Sequence, residues 1–267
     1  MFVLTLSMAT GVRAAEKKVK TFTSMDVDGN GTKDKVVVKA AVKDKTYASK
    51  IVIYVNNKKS GEKKVNDYYL SDLICKMIKT RDGSIFLLVT GEVFDGDSVF
   101  ALFQYQSGAF TCVLTDETVI EAKDYIKHID SITYKKGKDA ASEKFVVRSV
   151  DTSNSLGQHV SEVVYIIKDK KLVKKSKIYT TKLTYYKTLT AATAIKVFKS
   201  ATSKDSAFSL KKGDKVKVTK IYDSAKSMRI YVKRVSDGKK GWIAGVQNGV
   251  AKQLFEEVSD DDEEEIP

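Results

Sequence analysis

MDVDGNGTKDKVVV, residues 25–38, decides the fold class. Its first part crowds Asp26, Asp28, Asn30 and Asp34, with Gly29 and Gly31, into one polar loop, and its last part is Val36-Val37-Val38. A β-branched run bounded by turn residues is a strand signal. Counted from Asp26, side-chain oxygens stand at positions 1, 3, 5 and 9, Thr32 at position 7 offers a backbone carbonyl, and Gly31 at position 6 permits a sharp bend. Such alternation aims hard oxygen donors at one centre, which suits calcium with its need for about six to eight of them. The stretch reads as a calcium loop leading into a strand, with Asp26, Asp28, Asn30, Thr32 and Asp34 as the metal set. The simpler alternative is a glycine–asparagine turn whose aspartates cap the backbone.

The loop resembles the first nine residues of an EF-hand. It departs at position 12, where Val37 replaces the bidentate glutamate. Dockerin modules share the pattern but need a second copy and helices, which the sequence lacks. The remaining analogue completes its shell with water or a distant carboxylate, for which Asp95 and Asp97 in GEVFDGDSV are candidates. The expected affinity is weak, with Kd about 10⁻⁴ to 10⁻³ M, which suits a structural clip in extracellular calcium.

Strand signals continue through KVVVKAAV, KIVIYVN, SIFLLVTG, VFALFQY, AFTCVLTD, KFVVRSV, HVSEVVYIIK and KLVKKSKIY, parted by NNKKSG, TRDGS, YQSGA, TSNSLG and KDKK. FALFQYQSGAFTCVL and VVYIIKDKKLVKKSKI each predict a β-hairpin, turning at QSG and at KDK. One segment differs: Val119, Ile120, Ala122 and Ile126 fall at helical spacing and predict a short helix. The only proline is Pro267, so turns fall to Gly, Asn, Asp and Ser. A mainly antiparallel β-domain is expected over 19–183. Its calcium-type loop followed by strand–turn–strand units resembles the FG-GAP or VCBS-type β-repeats of secreted bacterial proteins. A whole propeller would not fit in this length, so the resemblance implies a related β-domain.

LTYYKTLTAATA, residues 183–194, is rich in Thr and Ala and predicts a linker over 184–192. Beyond it IKVFKS, DKVKVTKIY, RIYVKRV and KGWIAG are short, evenly spaced strands, the pattern of a small barrel. The pieces IKVFKSATSKDSAFSL, LKKGDKVKV and RIYVKRVSDGKKGW, in that order, resemble the bacterial SH3-type (SH3b) domain over 193–250. That resemblance implies a half-open barrel in a secreted or wall-associated protein that binds peptidoglycan or short peptides. The expected fold is mainly β: an antiparallel β-domain, a small SH3-like barrel, and an acidic disordered tail over 253–267.

Lys and Arg number 47 against 34 Asp and Glu, a formal charge of +13. FEEVSDDDEEEIP at the end holds eight of those acids, so the remainder stands at +21. A body this basic attracts anionic partners at long range. At the other end MFVLTLSMATGVRAAEKKVK has an apolar run and small residues around Ala14, which predict a secretory signal peptide over 1–15. No later window is apolar enough for a membrane span. Cys75 and Cys112 sit in strand-like runs without metal spacing and read as buried thiols, with a bridge between them as the alternative.

Chemistry-bearing motifs are scarce. His128 and His159 lack motif neighbours, and Cys112 stands mid-strand, a poor place for a nucleophile. The lysines are spread over most strands and no nucleic-acid motif accompanies them, so no nucleic-acid partner is expected. In the SH3-like segment Tyr222, Tyr231 and Trp242 are the candidate ligand contacts, Trp242 serving either as platform or as core. The expectation is a secreted, non-catalytic protein that contacts cell-wall peptide or anionic wall polymer. The alternatives are a wall- or carbohydrate-directed hydrolase using carboxylates of the first domain, and a protein-interaction module.

Overall fold

The structure, a computed structural model, describes residues 15–42, 46–93, 98–119, 126–224, 227–247, 250–251 and 253–258. Their architecture is mainly β, built of antiparallel sheets without an α-helix among the described residues. The chain forms two compact units. The first comprises Met1–Ile78, Ile85–Gly96 and Ala101–Cys112; the second comprises Lys79–Ser84, Asp97–Phe100 and Val113–Pro267. This division falls well before the expected junction at 184–192.

In the first unit β1 (Glu16–Met25), β2 (Asp34–Val42), β3 (Tyr47–Val55) and β4 (Lys58–Tyr69) make a four-stranded antiparallel meander. The valine run of the opening motif is its second strand. β2 and β3 are central and buried on both faces, which is why VVVKAA and IVI read as nearly continuous apolar runs. A second meander follows in β5 (Ile74–Lys79), β6 (Ile85–Glu92), β7 (Ser98–Gln106) and β8 (Ala109–Thr115). Phe86, Leu87, Leu102 and Phe103 are fully buried in this unit. Gly61 of β4 approaches β8 so closely that a Cβ would lie 2.3 Å from the Phe110 carbonyl oxygen, so a side chain is excluded there.

The second unit holds a third meander, β9 (Ile126–Lys135), β10 (Lys144–Ser153), β11 (Gly157–Lys168) and β12 (Lys171–Lys174). Each of the three meanders joins its third and fourth strands by a two-residue turn: Asn56-Asn57, Ser107-Gly108 and Asp169-Lys170. The φ values are 48° and 66°, 50° and 85°, and 50° and 57°. Positive φ at both central residues marks the type I′ hairpin, whose twist matches that of the strands it joins. Turns of one kind, roughly fifty to sixty residues apart, reveal a repeat that the sequence hides because the three pairs share no residue.

The remaining strands are β13 (Ile178–Leu183), β14 (Leu189–Thr190), β15 (Ile195–Phe198), β16 (Ser206–Leu210), β17 (Lys215–Ser224), β18 (Ser227–Arg234), β19 (Lys240–Gln247) and β20 (Val250–Ala251). Within the second unit the order runs β16-β15-β19-β18-β17-β13-β11-β10-β9, with β14 on β17 and β20 on β19. β13 thus hydrogen-bonds the third meander on one side and the carboxyl-terminal strands on the other.

Three expectations are corrected. The 184–192 linker is packed structure in its second half, where Leu189 pairs with Val216 and Leu189 and Ala191 are wholly buried, while 184–187 are exposed. Residues 253–258 do not belong to a disordered tail: Leu254, Phe255 and Val258 are buried, and Glu257 binds the backbone N–H of Thr190 at 2.7 Å. Apolar residues inside an acidic stretch outweighed its charge. The short helix predicted in ETVIEAKDYIKHIDSI, residues 117–132, is met by a 3₁₀ turn at Asp116–Thr118 and by strand β9 from Ile126 onward; 120–125 lie outside the described residues. Outside them also lie the predicted signal peptide up to residue 14, Asp95 and Asp97, and the tail from 259 onward.

Candidate functional site

The β1–β2 connection places Asp26, Asp28 and Asp34 so that one carboxylate oxygen from each lies within 4.8 Å of the others. Gly29 at φ 79° and Gly31 at φ 87° allow the loop to double back in a conformation that side chains resist. No lysine or arginine pairs with these acids among the described residues. Their mutual repulsion is offset by backbone and amide donors. Asp26 accepts Gly29 N–H at 2.7 Å and Gly31 N–H at 2.8 Å. Asp28 accepts the Asn30 N–H at 3.1 Å and its side-chain amide at 3.0 Å. Buried Asp34 accepts Val27 N–H at 2.7 Å, Asp28 N–H at 3.3 Å and the Asn56 amide at 2.5 Å.

Of the other predicted ligands, Asn30 is held beside Asp28 and accepts Thr32 N–H at 2.8 Å. Thr32 is exposed. Burial acts to raise the pKa of Asp34, but its three donors outweigh it and hold the carboxyl below the usual value of 3.8. Val37, at the twelfth position, is buried in β2 opposite Thr21 and Tyr54 and offers no ligand. An all-oxygen set of three converging acids suits a hard cation. One neighbour was not foreseen. Tyr105 of β7 has its pKa raised by burial and then by the charges of Asp28 and Asp34. In the equivalent connections of the other meanders Asp82 accepts Ser84 N–H at 3.0 Å, Asp139 caps Ser142 N–H at 2.8 Å, and Glu143 accepts Arg81 N–H at 2.9 Å.

The predicted aromatic residues come together in the second unit. Strand register sets Lys220 opposite Tyr231, Tyr231 opposite Trp242, and Trp242 opposite Phe198, across β17, β18, β19 and β15. Beside this row Tyr222 stands opposite Arg229. Ile230, Val232, Ile243 and Val197, which alternate with these residues, are fully buried, so the row occupies the outer face. The Tyr231 and Trp242 rings lie 5.0 Å apart at 56°. Trp242 is 7% exposed, so its ring is packed rather than open surface. Cations attend the rings: Lys220 Nζ lies 5.6 Å from the Tyr231 centroid, Lys196 Nζ 5.6 Å from that of Phe198, and the Arg229 guanidinium carbon 4.1 Å from that of Phe198. Phe198 and Arg229 were missed in the sequence, although Arg229-Ile230-Tyr231-Val232 alternates as an outer-and-inner strand should.

Ser149, Asp151 and His159 are neighbours, residue types that hydrolases use, but all three are wholly buried. Ser149 donates its hydroxyl to Asp151 at 2.9 Å, and His159 Nε2 lies 3.9 Å from the same carboxylate oxygen. The serine is thus bonded to the acid and not to the imidazole, the reverse of a nucleophile–base pair. His128 lies in β9 opposite Val150. Cys75 and Cys112 are half-buried and not joined in a disulfide, and burial pushes the Cys75 thiol up to about 12, far from a reactive thiolate. A groove of about 400 Å³ on β10, β11 and β13 is lined by Arg148, Glu162 and Lys182 among others and shares no residue with either site. No helix among the described residues is long and apolar enough to cross a membrane. Compared with known proteins, the chain matches no family model, no curated protein and no solved structure.

Proposed function

We propose that this is an exported, non-catalytic binding protein whose SH3-like carboxyl-terminal strands contact cell-wall peptide or anionic wall polymer. The observation that carries the reading is the row Lys220–Tyr231–Trp242–Phe198, where one lysine and three rings line up across four neighbouring strands. Rings supply flat apolar surface for a ligand's body, and the basic charge of the chain brings an anionic wall within reach. Calcium at Asp26, Asp28, Asn30, Thr32 and Asp34 acts as a structural clip on the β1–β2 loop, remote from any chemical step. The support for it is the acidic group that no basic side chain among the described residues neutralises.

Co-sedimentation of the purified protein with cell walls, before and after removal of their anionic polymer, tests the reading. Binding that survives in Asp26→Ala and drops at least fivefold in Tyr231→Ala and Lys220→Ala is expected. Clearing of the wall suspension by the protein would sink it in favour of a hydrolase.

A further inference from the structure

Five arginines occur in the sequence, and the four described ones all lie in the second unit. Three of them face carboxylates: Arg81 faces Glu143, Arg148 faces Asp130, and Arg234 faces both Asp214 and Asp237. Arg229 has no carboxylate partner among the described residues. Its Nη1 is buried without a hydrogen bond, and its guanidinium carbon lies 4.1 Å from the Phe198 ring centroid. Desolvation alone, with no opposing anion, lowers its pKa from the usual arginine value. A guanidinium is a planar fork of donors matched to a carboxylate, and a partly buried one without an anion leaves both charge and donors unanswered.

We propose that Arg229 anchors the carboxylate of a short peptide whose apolar body lies on the half-exposed rings of Phe198 and Tyr231, with Trp242 packed beside them. This rests on the reading of that face as a ligand surface and names the ligand's chemistry. Two features favour a peptide carboxylate over a repeating polyanion. The aromatic row offers apolar area that a chain of phosphates cannot use, whereas peptide side chains can. The guanidinium without an acid is one, set beside the Phe198 ring, while Lys196 and Lys220 already stand over aromatic faces, so the site asks for one planar anion beside an apolar group. Arg229 reaches the ligand by turning its fork outward, which also relieves the buried Nη1.

Trp242 is the only tryptophan of the chain, so its fluorescence reports this face alone. The full-length protein is titrated with the tetrapeptide Ala-Leu-Ala-Ala bearing a free carboxylate, with its carboxyl-terminal amide, and with inorganic polyphosphate. The acid form is expected to shift Trp242 emission, with the amide at least tenfold weaker. Arg229→Gln is expected to bind acid and amide alike, at the level of the amide, with a melting temperature no lower than the parent's. Equal binding of acid and amide by the parent overturns the proposal. So do discrimination retained in Arg229→Gln, polyphosphate binding tighter than the acid peptide, and no response at millimolar peptide. Wall co-sedimentation of the same proteins separates the two levels. Wall binding without acid-over-amide preference leaves the wall reading and removes this one; acid preference without wall binding does the opposite.

Discussion

Asn56, the first residue of the β3–β4 turn, donates its side-chain amide to Asp34 at 2.5 Å and with its own side-chain oxygen accepts Lys35 N–H at 2.9 Å. Its backbone N–H is bonded to the Lys35 carbonyl at 2.9 Å as well. The turn that ends one hairpin therefore clamps the last acid of the β1–β2 loop, twenty-two positions earlier in the chain. This clamp fixes the most buried of the three carboxylates before any cation arrives.

Replacing Asn56 by Ala removes a hydrogen bond to an ionised group and puts a Cβ-bearing residue without a polar side chain at φ 48°. Urea unfolding is expected to show a loss of about 1.5–3 kcal/mol. Asn57→Gly is the control: it creates the Asn-Gly pair that type I′ turns favour and should leave stability equal or higher.

Calcium at millimolar concentration is expected to stabilise the parent by about 0.4–1.4 kcal/mol relative to chelator, as a weak site should. Asp26→Ala and Asp28→Ala lose that response. Asp34→Ala loses it too, and is also less stable in chelator, because Val27, Asp28 and Asn56 lose their common acceptor. Thermal melts of the four proteins in both buffers check this, and an unchanged parent curve would reduce the stretch to a turn.

Tyr105 provides a second readout of the loop. Burial and the charges of Asp28 and Asp34 hold its pKa above the usual tyrosine value of 10.0. A divalent cation among those acids cancels their charge, so calcium is expected to lower the titration midpoint of Tyr105. Carbon-13 labelled tyrosine spectra across the alkaline range, assigned with Tyr105→Phe, measure it; Asp28→Asn should lower the midpoint without calcium.

Burial pushes the pKa of His159 down to about 4, against the upward pull of its bond to the Gly157 carbonyl. The unfolded chain takes up the proton near 6.5, so below that value it binds more protons than the folded chain. Stability is then full above pH 6.5 and falls by up to about 3 kcal/mol as the pH drops towards 4. Asp151, with one oxygen 3.9 Å from Nε2, faces the ring. In His159→Gln the slope between those values should flatten, as followed by urea unfolding over the range.

Much of this architecture was legible because its signals are local. Valine runs, positive-φ turn residues at Ser107-Gly108, and the oxygen spacing from Asp26 to Asp34 each act within a few residues. What stayed hidden depends on partners far away in sequence. Leu189 looked like linker until Val216 paired with it, and Phe255 looked like tail until the core closed over it. Ile126 carried a helical spacing that pairing with β10 overrode. Arg229 could not be singled out, because an arginine lacking an acid is visible only once all the acids have positions.

The three two-residue turns carry a kinetic consequence. Each can close its hairpin from adjacent residues alone, on the microsecond scale of such events, before any distant contact is needed. Chain order then becomes assembly order: the pieces form locally, and the slow step falls on the pairings that reach furthest, such as β15 with β19 and Ala191 with Phe255. Substitutions at Asn57 or Gly108 should therefore change how fast the chain finds its fold more than how it holds its ligand.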